Sequence, residues 1–148
     1  MKKIVILLVM SSLFGCRDIS KNKAISMNTA NQSDAELRQL IIQKGDSCAY
    51  DKLSVQYLDY GYQDFLFYAL IMANKYDYPQ AYFDVFFCLI YEYIDNYELI
   101  DEKTAALAIE YLIKAANMGH EQAQEMISEY DITEFDTNYV TQIKRIYE

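Results

Sequence analysis

The apolar positions of residues 34–148 recur three and four residues apart over long stretches, which is the period of an α-helix. The clearest stretch runs from Ala108 to Ala123. One helix face in it consists of small and large apolar residues: Ala108, Tyr111, Leu112, Ala115 and Ala116. Gly119 follows and supplies the left-handed conformation that ends a helix without steric cost. A second apolar face begins at Ala123, so the stretch predicts two helices that are joined by a tight turn and pack together.

The same junction between two helices occurs earlier in the chain in weaker form. Gly45 precedes Ala49 by four residues, as Gly119 precedes Ala123. A third copy lacks the glycine, and Pro79 fits the first turn of its second helix, before Ala81. The three alanines are spaced by 32 and 42 residues. Such spacing is typical of helix pairs that stack as a solenoid.

The periodicity predicts seven helices and no convincing strand. They cover about 34–44, 47–59, 63–75, 79–95, 102–118, 120–130 and 135–147. Ser33 and Asp46 can cap the first two helices, and Thr133 with Asp136 precedes the last. We therefore predict an all-α fold, a short right-handed α-solenoid of stacked antiparallel helix pairs over residues 34–148.

The junction resembles the Sel-one-like repeat, a relative of the tetratricopeptide repeat. The residues that match are Ala108, Tyr111, Leu112, Lys114, Ala115, Ala116, Gly119, Ala123 and Ile127. The match is good over about 100–130, fair over 45–60 and poor over 62–94. The G-x-G-V stretch of the repeat is missing, and the acidic segment from Asp95 to Glu102 stands in its place. The resemblance implies an all-helical scaffold for protein contacts, with no catalytic residues of its own.

Residues 1–15 have the form of a bacterial secretion signal. Lys2 and Lys3 precede an apolar run of eleven residues, 4–14, which is shorter than the roughly 20 residues that span a bilayer. The run ends in Leu13, Phe14, Gly15 and Cys16. This ending resembles a lipoprotein box, which implies that Cys16 is lipidated and becomes the new N-terminus. The alternatives are an ordinary signal peptide with an incidental cysteine, and an N-terminal anchor.

The segment after the lipidation site is polar. Residues 16–33 contain little to bury, and we interpret them as the lipidated cysteine and a flexible tether. Arg17 resembles the residue that allows release to the outer membrane in enteric lipoproteins. The predicted location is the bacterial cell envelope, at the outer membrane facing the periplasm, with the membrane contacted only through the lipid.

The charge of the mature chain is strongly negative. Removal of residues 1–15 takes away two of 13 basic residues and no acidic one, which leaves 11 basic against 22 acidic residues and a formal charge of −11. Such a charge disfavours nucleic acid and anionic lipid as partners. It favours a basic protein partner, or serves to keep a small domain soluble.

Two cysteines remain besides Cys16. The repeat alignment offsets Cys48 and Cys88 by about two helical turns, roughly 12 Å, which is beyond disulfide reach. We predict two small buried side chains rather than a disulfide.

The chain lacks the usual signatures of an enzyme. Its four glycines are far apart, so no glycine-rich loop can hold a phosphate, and there is no G-x-S-x-G motif. We interpret the single histidine, His120, as an exposed residue at a helix start rather than a catalytic base. Neither a zinc site nor the calcium-loop spacing is present, and the acidic cluster of 95–102 is interpreted as a solvated loop. Carboxylates are plentiful, but their spacing does not favour a paired-carboxylate hydrolase. We predict no catalytic residue, no metal and no cofactor.

One region is rich in aromatic residues. Nine of them lie within 22 residues: Tyr76, Tyr78, Tyr82, Phe83, Phe86, Phe87, Tyr91, Tyr93 and Tyr97. A helix that is apolar all round is either central in a core or open to a partner. On the second interpretation, tyrosines suit an interface because each joins a large apolar body to a polar tip. The candidate contact residues are Tyr78, Tyr82, Phe86, Tyr93 and Tyr97.

Two functions fit these features. The first is a membrane-anchored periplasmic lipoprotein that acts as a protein–protein interaction module through its helical repeats. The alternative is an immunity protein that neutralises a secreted antibacterial effector such as a lipase, since small lipoproteins with related repeats are similar to this chain in anchor, charge and size.

Overall fold

Residues 33–57 and 62–147 are described by the computed structural model, and they form α-helices and short 3-10 helices without a strand. The α-helices are α1 (Asp34–Lys44), α2 (Ser47–Tyr57), α3 (Leu66–Tyr76), α4 (Pro79–Ile90), α5 (Glu102–Asn117), α6 (Glu121–Glu129) and α7 (Tyr139–Tyr147). The 3-10 helices are Tyr62–Phe65, Tyr91–Tyr93 and Tyr97–Leu99. The predicted all-α class is confirmed. The predicted signal segment 1–15, Cys16 and the tether up to residue 32 lie outside the described residues.

Two of the predicted helices, the fourth and the last, are clearly shorter than expected. The fourth ends at Ile90 rather than near 95 and passes into the 3-10 helix Tyr91–Tyr93. The last begins at Tyr139 rather than 135, because the side chain of Asn138 caps it: Asn138 Oδ1 accepts a hydrogen bond of 3.1 Å from the amide of Thr141. Thr133 and Asp136 precede this helix, as predicted, and belong to the loop before it.

Four of the connections between helices contain a residue with positive φ; the one after α6 is Asp131, and the other three match the predicted junction. Gly45 (φ 63°) follows α1 and Gly119 (φ 88°) follows α5, each in the left-handed conformation. Between α3 and α4 the same conformation is adopted by Asp77 (φ 51°), which fills the position where the third copy of the junction lacks its glycine. An aspartate tolerates this conformation better than most residues. In all three copies a buried alanine follows four residues later, at positions 49, 81 and 123.

The core lies along the middle helices. α4 and α5 share the most extensive interface; α1 packs on α2, α3 on α4 and α5 on α6, and further contacts join α1 to α3 and α5 to α7. Buried alanines such as Ala81, Ala108 and Ala115 allow close approach of these helices. α4 is enclosed by α3 and α5 and buries residues around most of its circumference, so the central-helix interpretation is correct for it.

The two cysteines differ in burial. Cys88 lies in the core on α4, Cys48 is exposed in the first turn of α2, and no disulfide joins them. The prediction of two buried side chains is wrong for Cys48, because α2 turns Ala49 and Tyr50 inward instead. Burial raises the pKa of the Cys88 thiol to about 12, which keeps it protonated and poorly nucleophilic.

Candidate protein-binding groove

The five candidate contact residues do not form one surface. Phe86 is completely buried and Tyr82 is only 7% exposed, so both belong to the core and cannot meet a partner. The physical reason is the position of α4 between two neighbouring helices. This part of the predicted contact surface is wrong.

The other three candidates pack on different parts of the protein. The ring of Tyr78 meets Tyr50 of α2 edge-on at 5.6 Å, and its hydroxyl donates to Asp51 Oδ1 at 3.1 Å. Burial and the nearby Asp51 raise the pKa of Tyr78 to about 12. Tyr97 stacks on Tyr147 of α7 at 5.0 Å, and Tyr93 is half-buried against the core. Their aromatic surface is mostly used within the protein.

A groove along α5 offers a better candidate surface. Two neighbouring pockets of about 670 and 420 Å³ share Ile113, Asn117 and Glu134 in their lining. We call the combined depression the α5 groove. Its apolar lining includes Ala106, Leu107, Ile113, Ile127, Ile132 and Phe135, and its charged lining is Lys103, Glu110, Lys114 and Glu134. α5 thus forms one side, and α6, the following loop and Tyr139 form the other.

Two large apolar side chains of the groove are open to solvent. Leu107 is 41% exposed, and Phe135 is 87% exposed in the loop between α6 and α7. Lys114 Nζ lies 2.7 Å from Glu110 Oε1, and this hydrogen bond is the main reason that the pKa of Lys114 is raised. The α5 side of the groove therefore has its charges largely balanced, with apolar surface between them.

The loop that carries Phe135 is held by a buried amide. Gln142 of α7 is fully buried. Its Nε2 donates to the carbonyl oxygens of Thr133, at 3.1 Å, and Asp136, at 2.6 Å. Its Oε1 accepts from the amide of Thr133 at 2.9 Å. These three bonds satisfy the side chain and fix the backbone on both sides of Phe135.

Further bonds hold the ends of the same loop. Arg145 Nη2 lies 3.2 Å from Asp136 Oδ2, and Glu102 of α5 accepts a hydrogen bond of 3.1 Å from the amide of Tyr139. An exposed aromatic ring on a loop held in this way needs little ordering when a partner binds. Phe135 was not predicted as a site residue, because the apolar periodicity places residue 135 at the start of a helix. The signal that could have identified it is an aromatic residue within the polar run 133–138.

A chain of hydrogen bonds joins α2, α4 and α6. The hydroxyl of Tyr50 donates to Asp84 at 2.6 Å, and Gln80 Nε2 donates to the other oxygen of Asp84 at 2.8 Å. Gln80 Oε1 lies 2.9 Å from His120 Nε2, and His120 Nδ1 accepts from the amide of Ala123 at 3.2 Å. Because Nδ1 accepts, Nε2 carries the proton and the imidazole is neutral. His120 therefore caps α6, and it is half-buried on the ring of Phe83 rather than exposed as predicted.

Acidification is expected to destabilise the protein through His120. Burial lowers the pKa of His120 below its usual value, and the charge of Glu121 opposes the shift only partly. The folded state therefore binds this proton less readily than the unfolded state, whose histidine has a pKa of about 6.5. The contribution of His120 is fully present above about pH 6.5 and is lost as the pH falls below it.

Urea unfolding at neutral and mildly acidic pH measures this loss. The matched variant is His120→Asn, because asparagine also caps helices but does not titrate. Burial raises the pKa of Asp84, so protonation of this carboxyl group favours the folded state as the pH falls. This contribution has the opposite sign to that of His120 and is present in both proteins. Stability that falls equally with pH in both proteins would show that His120 is not responsible.

No group of three or more metal-ligating residues occurs in the part of the chain that the structure describes. Within the same residues, no helix combines the length and apolar character needed to cross a membrane. Neither a family model, nor a curated protein, nor a solved structure matches this chain.

Proposed function

We propose that the helical domain binds another protein through the α5 groove. The observation that supports this most is Phe135, which is 87% exposed although the loop that carries it is tied to the buried Gln142. Large aromatic residues in pre-organised positions beside apolar surface are typical centres of protein interfaces. A water-exposed ring on a fixed loop has no role in the core, and contact with a partner accounts for it.

The repeat architecture and the anchor complete the proposal. Left-handed residues at 45, 77 and 119 are each followed by a buried alanine, which supports helix pairs stacked as a short right-handed solenoid related to the Sel-one-like repeat. Lipidation at Cys16 would attach this domain to the bacterial cell envelope, with the groove facing the periplasm. The support for the anchor is the basic and apolar sequence before Cys16.

The second candidate function is an immunity protein for a secreted antibacterial effector such as a lipase. The excess of acidic residues favours it, because a basic effector would be attracted over long range. It would use the same groove, so the two candidates differ in the identity of the partner.

Site-specific photo-crosslinking in the producing cell tests the proposal. A photoreactive phenylalanine analogue is introduced at Phe135, at Leu107 and, as a control, at Val55, which is 62% exposed on α2 outside the groove. We expect a discrete cross-linked product with a second protein at the two groove positions and none at Val55. Identification of that protein as a secreted effector would favour immunity. Equal cross-linking at Val55, or none in the groove, would contradict the proposal.

A further inference from the structure

Charge divides the two sides of the α5 groove. Residues 120–138, which form α6 and the loop after it, contain six acidic residues and no lysine or arginine. They are Glu121, Glu125, Glu129, Asp131, Glu134 and Asp136. All except Asp136 are exposed. Asp136 is the one that faces a cation, Arg145 of α7, at 3.2 Å.

The acidic residues of α6 follow a stripe beside the groove. Glu121, Glu125 and Glu129 are four residues apart and so share one face of the helix. Gln124 and Ser128, which line the groove, lie beside Glu121 on the helical wheel, whereas Glu129 lies toward the far side of the helix. Cationic side chains of a bound segment would therefore meet Glu134 in the groove and Glu121 and Glu125 at its α6 edge.

The floor of the groove suits a helix. Its lining on α5 extends from Lys103 to Asn117, which corresponds to about 21 Å at 1.5 Å per residue. Apolar surface at Leu107 and Ile113 lies along this length, and Phe135 lines the part of the groove near Asn117. An apolar floor with charged edges is the geometry in which amphipathic helices bind grooves, with one apolar stripe facing inward.

We propose that the occupant is a cationic amphipathic helix of another protein, about 14 residues long to match the groove. This inference rests on the proposed protein-binding function and specifies the chemistry of the partner. Its apolar stripe contacts Leu107, Ile113 and Phe135, and its lysines or arginines lie along the acidic stripe of α6.

Three designed peptides test the inference with the purified protein. The first is a helix with a leucine stripe and a lysine face, the second has the same composition in scrambled order, and the third has glutamate in place of lysine. The protein contains no tryptophan, so one tryptophan in each peptide reports binding by its fluorescence. We expect the first peptide to bind at least about tenfold more tightly than either of the others.

Two variants identify the surface that binds. Phe135→Ala should weaken binding of the first peptide by about tenfold, as loss of a central aromatic contact does, while Val55→Ala should leave it unchanged. Circular dichroism of each variant checks that the fold is retained. Equal binding by the Phe135 variant and the unchanged protein would overturn the inference.

A matched pair of charge variants separates the effect of the acidic stripe on binding from the effect of the overall negative charge. The first replaces Glu121, Glu125 and Glu134 by glutamine, and we expect it to weaken binding and reduce its salt dependence. The second removes the same charge elsewhere by amide substitutions at three exposed residues: Asp64, Glu92 and Asp95.

Equal loss in both variants, or tight binding of the scrambled or acidic peptide, would overturn the inference. Cross-links at Phe135 and Leu107 that persist in spite of such a result would keep the protein-binding function and change only the chemistry of the partner. Absence of those cross-links would contradict the function itself.

Discussion

Replacement of Gly45 by alanine should lower the free energy of unfolding by about 3 kcal/mol, the sum of a left-handed backbone penalty and a steric one. Gly45 has φ 63°, and an added Cβ would overlap Cγ and Cδ1 of Tyr76 and lie 2.8 Å from Cδ2. These are ring atoms close to the base of the side chain. The hydroxyl of Tyr76 also donates to the carbonyl of Ile42 at 2.9 Å, which limits how far the ring can swing aside.

Gly119 provides the matched control for this substitution. It also has a positive φ, 88°, but a Cβ there would meet no heavy atom within 4 Å. Gly119→Ala should therefore show only the backbone penalty, about 1 kcal/mol. Urea unfolding followed by circular dichroism measures both variants. Equal losses at the two glycines would show that the close approach of Tyr76 contributes nothing.

The two glycines also show how much of the fold a repeat pattern in the sequence can predict. Apolar periodicity locates the helices, and glycine at 45 and 119 marks the turns, because only local geometry is involved. The third copy of the junction was predicted from Pro79 and Ala81, but the left-handed conformation of Asp77 within it was not, since an aspartate in this conformation leaves no distinct signal in the sequence. The structure shows through the backbone angle of Asp77 that this residue takes the place of the missing glycine.

The candidate binding surface was less predictable than the fold. Aromatic density on α4 does not distinguish a core helix from an interface, because the difference depends on what packs around it. The tertiary contacts bury Phe86 and Tyr82 and leave Phe135 exposed instead. The exposed position depends on hydrogen bonds to Gln142, a residue that appears in the sequence as an ordinary polar position of the last helix.

The second large effect is expected at this glutamine. Gln142→Leu should lower the free energy of unfolding by about 2–4 kcal/mol, because the half-buried amide of Thr133 loses its acceptor and two carbonyl groups lose their donor. Leucine has a similar volume, so the loss reports hydrogen bonding rather than a cavity. Gln122→Leu is the control, since residue 122 lies exposed on α6 and the same chemical change there should cost little.

A global loss of stability alone would not connect Gln142 with the groove, so the substitution needs a local measurement. Hydrogen exchange should speed up at residues 132–138 in the Gln142 variant, while α3 and α4 remain protected under conditions in which the protein is still folded. Binding of the cationic peptide should weaken in parallel, because Phe135 would have to be ordered at the moment of binding. Gln142 itself is buried and cannot touch the peptide. Unchanged exchange in this loop would mean that Arg145 and Asn138 suffice to hold it, and the pre-organisation attributed to Gln142 would be wrong.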